Sequence, residues 1–204
     1  MSEPLTIFTV GHSTRPIESF LAVLKAHGVD CLVDIRSYPQ SRRHPHFGQD
    51  ALKASLASAG VRYLWKKQLG GRRRLSTPEG GGAGGDCVHS KKASGASLHS
   101  GIRAKAFRAY IEHLATREAS EATDQILALA RTCRVALMCA EKNYRRCHRQ
   151  FLADRLKSLG VKVLHIEDEG PPEEHIDHPL LLIREGNLLY PSKEVELPPG
   201  SGAL

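Results

Sequence analysis

The sequence predicts an α/β fold: an open parallel sheet of about five strands with flanking helices, a basic flap insertion and a C-terminal hairpin. Three observations predict it. Short apolar runs alternate with segments whose apolar residues recur at helical spacing, the pattern of βαβ units around a buried sheet. Glycines stand where the helical segments stop, at Gly28, Gly60 and Gly160. And 204 residues, 41% hydrophobic and 25% charged, supply one core rather than two, so residues 1–204 read as a single domain carrying an insertion over 70–102.

The first strand is Thr6 to Val10. Gly11 to Arg15 turn the chain, Pro16 suits a helix start, and Phe20, Leu21, Val23 and Leu24 form the helix's apolar stripe. Strand two is Cys31 to Ile35, followed by the polar loop SYPQSRRHPHFGQ and a helix carrying Leu52 and Leu56; strand three is Val61 to Trp65. Two helices, Lys105 to Ala115 and Glu121 to Arg131, lead to strand four at Val135 to Cys139. Asn143 is placed to cap a helix running through Phe151, Leu152, Leu156 and Leu159, and strand five is Val161 to Ile166. LLLIREGNLLY reads as a hairpin around Glu185-Gly186-Asn187, and PPGSGAL as a loose tail.

The formal charge of +7 is local. Of 29 basic and 22 acidic residues, the stretch from Lys66 to Lys105 holds nine and two, which leaves 20 of each elsewhere. Its glycines and serines cannot build a core, so a mobile basic flap from about Gly70 to Ile102 is expected over a neutral body. No apolar run nears the ~20 residues of a membrane helix and no signal peptide is evident, so a soluble cytoplasmic protein without membrane partners is expected. Five cysteines, Cys31, Cys87, Cys133, Cys139 and Cys147, are too sparse for a disulfide framework. LGGRRR lacks the lysine and hydroxyl residue of a P-loop and GHSTRP has a single glycine, which disfavours ATP-driven and nicotinamide chemistry.

In such a sheet the ligand crevice lies beyond the carboxyl ends of the strands. There the sequence places Gly11, His12, Ser13 and Arg15, then Asp34, Arg36, Ser41, Arg42 and Arg43, then Cys139 and Glu141, and the following Cys147, His148 and Arg149. TVGHSTR, LVDIRSYPQSRRHPHF, LGG and CAEKNYRRCHR, in that order over residues 7 to 166, resemble the bacterial domain of unknown function 488 family. The resemblance implies motif residues Gly11, His12, Ser13, Asp34, Arg36, Ser41, Gly71, Cys139, Glu141, Cys147, His148 and Arg149. It implies no reaction. Asn143-Tyr144, where the family usually has a polar residue and proline, and the long basic insertion depart from the pattern.

Cys139 closes a strand ahead of a helix, where amides and arginines favour a thiolate; it is equally a small buried strand-end residue. Arg145 follows it at the spacing of phosphatase and sulfurtransferase loops, but AEKNY lacks the glycines that surround an oxyanion in those loops. Cys139, Cys147 and His148 are soft metal donors, with His12 or His165 as a fourth. Against that, no CxxC is present, and adjacent Cys147 and His148 would diverge by about 100° on a helix. Asp34 and Arg36 form either a structural ion pair or part of a guanidinium cluster with Arg15, Arg42 and Arg43 that holds an anion.

The expectation is a metal-independent enzyme, without cofactor, acting at the carboxyl edge of the sheet on a phosphorylated substrate, a nucleotide or nucleic acid, so that its partner is an anionic small molecule or nucleic acid. Arg15, Arg36, Arg42 and Arg149 would hold the anion, Glu141 or Asp34 would move the proton, and Cys139 or His12 would react. The competing expectation is a non-catalytic nucleic-acid-binding or accessory module, its flap supplying phosphate contacts.

Overall fold

A computed structural model describes residues 4–73 and 98–192. In chain order these form β1 (Thr6–Gly11), α1 (Ile17–Ala26), β2 (Cys31–Asp34), α2 (Gln49–Ser58), β3 (Arg62–Trp65), α3 (Lys105–Leu114), α4 (Arg117–Ala130), β4 (Val135–Cys139), α5 (Arg149–Ser158), β5 (Lys162–Ile166), β6 (Glu173–Glu174), β7 (Leu182–Arg184) and β8 (Asn187–Leu189). Most of the expected flap, Cys87 and the C-terminal tail lie outside the described residues.

The sheet order is β3-β2-β4-β1-β5-β6, parallel throughout except for β6, and β7-β8 form a separate hairpin. The inner strands β1, β2 and β4 are covered on both faces, which is why they read as unbroken apolar runs rather than as alternation. Edge strand β3 is the more exposed. On one face Phe8, Val10, Leu32, Ala136 and Met138 pack against Phe20, Val23 and Leu24 of α1 and Leu52 and Leu56 of α2. On the other, Ile7, Val33, Leu137 and Val163 pack against Tyr110 and Ile111 of α3, Ala122 and Ile126 of α4, and Phe151 and Leu152 of α5.

Helix α1 therefore leaves β1 onto one face while α5, following β4, lies on the other. β1 and β4 are neighbours, so their carboxyl ends form the topological switch point, the position at which such sheets commonly take ligands.

Three elements differ from the sequence expectation. Helix α4 starts at Arg117, four residues early, because the Thr116 side chain accepts from the Ala119 amide at 3.3 Å and caps it there. Asn143 caps only a single 3-10 turn, Tyr144–Arg146, accepting from the Arg145 amide at 2.9 Å; Cys147 is then extended, and α5 begins at Arg149. Two-residue β6 adds an antiparallel edge that its polar sequence did not announce. The hairpin forms as expected, turning through Glu185 at φ 50° and Gly186 at φ 75°. Among the described residues no helix is long and apolar enough to cross a membrane.

Candidate functional site

Beyond the ends of β1 and β4 the pairing continues: the His12 amide donates to the Cys139 carbonyl and the Ser13 amide to the Ala140 carbonyl, both at 2.9 Å. Gly11 permits this closeness, since a Cβ there would overlap the Glu141 carbonyl and stand 2.7 Å from Lys142 Cα. Ser13 takes φ 53°, a left-handed conformation uncommon for serine, just beyond the end of β1.

On the α5 side lies a sulfur–imidazole cluster. His148 Nδ1 is 3.5 Å from Cys147 Sγ and 3.8 Å from Cys139 Sγ. The extended backbone at Cys147 aims its sulfur and the next residue's ring at one point, so the divergence expected of adjacent helical residues does not arise. Gly71 lies against the imidazole; a Cβ there would overlap Nδ1 and Cγ and stand 2.9 Å from His148 Cβ. Tyr110 meets the ring edge-on at 4.9 Å, and His148 Nε2 is buried without a hydrogen-bond partner among the described residues. The hydrogen bond Cys139 gives to Cys147, with burial, pushes the Cys139 thiol well up. The same bond pulls Cys147 well below the usual thiol range against burial, helped by His148 and Arg149. Of the two sulfurs Cys147 is thus the more acidic.

On the β2 side Asp34, fully buried, takes Arg36 Nε at 2.9 and 3.1 Å, Arg36 Nη2 at 2.5 Å and the Tyr63 hydroxyl at 2.9 Å. Arg36 Nη1 donates to the Phe47 carbonyl at 2.9 Å and faces His12 Nε2 at 3.3 Å. A guanidinium has no acceptor, so His12 Nε2 is the bare nitrogen and Nδ1–H donates to the Ser13 carbonyl at 2.8 Å. Burial, then Arg36, lower the His12 pKa to about 4, and the ring stacks on Phe47 at 4.1 Å.

Arg149, 1% exposed, sends Nη1 to Thr9 Oγ1 at 3.2 Å and Nη2 to the Glu141 carbonyl and, at 2.9 Å, the Lys142 carbonyl; its Nε is unpaired among the described residues. From Thr9 a buried chain runs to His165 Nδ1 at 2.6 Å, from His165 Nε2 to His175 Nδ1 at 2.9 Å, and from His175 Nε2 to Asp154 Oδ1 at 2.9 Å. Tyr190 OH donates to Asp154 Oδ2 at 2.8 Å. Arg149 can only donate and a carboxylate can only accept, so every proton in this wire points from the guanidinium toward Asp154. Thr9, Asp154, His175 and Tyr190 are site residues that the motifs do not single out. For Thr9 and Asp154 the signal is a polar residue inside an apolar run, as in TIFTV and FLADRL; His175 and Tyr190 carry no such signal.

The remaining candidates are dispersed. Arg15 donates to the Gly11 and Glu167 carbonyls, Ser41 accepts from the His44 amide at 3.0 Å to build a turn, and Arg42 is exposed. The Glu141 side chain is exposed and accepts from the Asn143 amide at 3.1 Å. Arg15, Arg36 and Arg149 thus lend positive potential to the edge while most of their donors hold protein acceptors. Among the described residues two groups have donor atoms close enough for a metal: Cys139, Cys147 and His148, and Asp154, His175 and Asp177. In the second the donors already serve one another, and Asp177 pairs with Lys157 at 3.0 Å. Two surface hollows at the amino ends of β1 and β5 hold none of the candidates named from the sequence.

A model of the family described as Domain of unknown function DUF488 matches residues 16–156. The matched span takes in LVDIRSYPQSRRHPHF, LGG and CAEKNYRRCHR and begins just after GHSTR. No curated protein and no solved structure matches the chain.

Proposed function

The chain belongs to the DUF488 family, and we propose that it is an enzyme whose reaction centre is the Cys139–Cys147–His148 cluster, acting on a phosphorylated substrate, a nucleotide or nucleic acid. The observation that carries this reading is the convergence of two sulfurs on one ring nitrogen, at 3.5 and 3.8 Å, beside the carboxyl ends of β1 and β4. An acidified Cys147 thiol, an imidazole and a partly exposed Cys139 would meet a substrate there. The anionic substrate class follows from charge. Arg15, Arg36 and Arg149 line the edge, and Gly71, against His148, belongs to the Lys66–Lys105 stretch that holds the whole basic surplus.

The test is a panel of nucleoside phosphates, phosphomonoesters and short oligonucleotides, scored for binding and for product with wild-type protein and Cys147→Ser. Turnover lost in a folded Cys147→Ser protein supports the proposal. Turnover unchanged in that variant, or no binding of any phosphorylated compound by the wild type, overturns it. The mutually satisfied Asp34–Arg36–Tyr63 group favours a second reading, a non-catalytic nucleic-acid module. That reading predicts salt-dependent oligonucleotide binding with no product and no effect of Cys147→Ser.

A further inference from the structure

We propose that Cys139, Cys147 and His148 bind one soft divalent cation, zinc by preference, leaving a fourth position for water or substrate. The inference rests on the cluster being the reaction centre and names the cofactor of that centre.

The geometry carries it. Zinc–sulfur bonds of about 2.3 Å and zinc–nitrogen bonds of about 2.0–2.1 Å, set tetrahedrally, place sulfur and nitrogen about 3.6 Å apart and the two sulfurs about 3.8 Å apart. Here nitrogen and sulfur are 3.5 and 3.8 Å apart, and all three donor atoms lie within 4.8 Å of one another. Hydrogen bonds can join the same three groups, the Cys139 thiol and His148 Nδ1–H both serving Cys147 Sγ, but they leave the 3.8 Å approach of Cys139 to the ring nitrogen unused. A cation between them engages all three donors.

The scaffold is rigid enough to hold such a site. Cys139 ends a strand, Cys147 is held extended between the 3-10 turn and α5, and Gly71 and Tyr110 fix the imidazole plane. Thiolate and imidazole donors select zinc over magnesium or calcium. Charge agrees as well: two thiolates neutralise a divalent ion, while Arg149 is joined through its wire to Asp154.

The fourth position is the telling one. His12 Nε2 faces Arg36 and His165 is bonded on both nitrogens, so neither histidine nominated from the sequence completes the shell. Three protein ligands with one position free is the arrangement of catalytic rather than structural zinc, and Cys139, the partly exposed ligand, marks the side of access.

The test is a titration of reduced, chelator-stripped wild-type protein with Co²⁺, followed by displacement with Zn²⁺. One equivalent should bind, giving the visible bands of tetrahedral cobalt and a sulfur-to-cobalt charge-transfer band, both abolished by Zn²⁺. Cys147→Ser should remove the charge-transfer intensity of one thiolate. Gly71→Ala, which displaces the ring and spares the sulfurs, should weaken binding by about 10–100-fold. Should a variant fail to fold, zinc X-ray absorption on the wild type decides by counting two sulfur and one nitrogen neighbours. Absence of stoichiometric binding, cobalt spectra unaltered by Cys147→Ser, or a sulfur-free shell overturns the proposal. A chain that turns over a phosphorylated substrate yet takes up no cobalt refutes the metal alone. A chain that takes up cobalt and binds no phosphorylated compound refutes the function alone.

Discussion

Replacing Asp34 by asparagine removes one charge and almost no volume, and the structure fixes how much that should cost. Asp34 is 0% exposed and Arg36 6%, and five contacts converge on the carboxylate: three from the Arg36 guanidinium at 2.5–3.1 Å, the Arg36 amide at 3.0 Å and the Tyr63 hydroxyl at 2.9 Å. Removing one partner of a buried ion pair strands the other charge away from water, which costs about 3–5 kcal/mol. The exposed Arg117–Glu121 pair has a comparable 2.6 Å contact but 83% and 56% exposure. Glu121→Gln should therefore leave stability almost unchanged. In urea, with m of about 2 kcal/mol/M, Asp34→Asn should lower the unfolding midpoint by about 2 M while Glu121→Gln leaves it within about 0.5 M. Arg36→Met in the Asp34→Asn background should recover part of the loss, because the stranded cation is gone. Equal midpoint shifts for Asp34→Asn and Glu121→Gln would show that water screens the β2 pair and would refute the account of that side of the site.

Acid should destabilise the fold through His12, whose pKa falls from 6.5 to about 4. Between those values the unfolded chain binds a proton the folded chain does not, so stability is lost as pH falls. By pH 4.5 this amounts to about 2.5 kcal/mol, a share that urea melts of His12→Gln should lack. In the buried wire, Tyr190→Phe removes one hydrogen bond to Asp154 and should cost about 1 kcal/mol, or about 2–4 °C in a thermal melt. Asp154→Asn disturbs His175, Tyr190 and the His178 amide together and should lower the melting temperature at least twice as far. Gly11→Ala should destabilise by at least about 2 kcal/mol in denaturant melts because its Cβ meets backbone, whereas Gly60→Ala, with φ 74° and nothing within 4 Å, should cost only about 1 kcal/mol.

The strands were legible because each inner one is a continuous apolar run between a glycine or turn and a polar loop, and burial on both faces makes such runs distinctive. Helix ends were less so. Thr116 and Asn143 are both good caps, and sequence alone does not say that one starts a long helix and the other a single turn. The sulfur cluster was legible as a set of residues, but its shape was not, because it depends on one extended residue, Cys147, that local spacing read as helical. The wire from Arg149 to Asp154 links residues on β1, β5 and α5 with His175 just after β6, and no spacing rule connects Thr9 to His165 across 156 positions.

The place of β1 has a consequence for how the chain is made. Phe8 pairs with Ala136 on one side and Leu164 on the other, so the middle of the sheet is laid down first and its neighbours arrive well over 100 residues later. At about 5–20 residues per second, a ribosome needs roughly 6–25 s to supply β4 after β1, and longer for β5. During that interval Ile7, Phe8 and Val10, fully shielded at the end, have no strand beside them. A nascent chain built this way waits with its stickiest segment open on both edges, and chaperones that bind short apolar stretches should find it there before the fold closes over it.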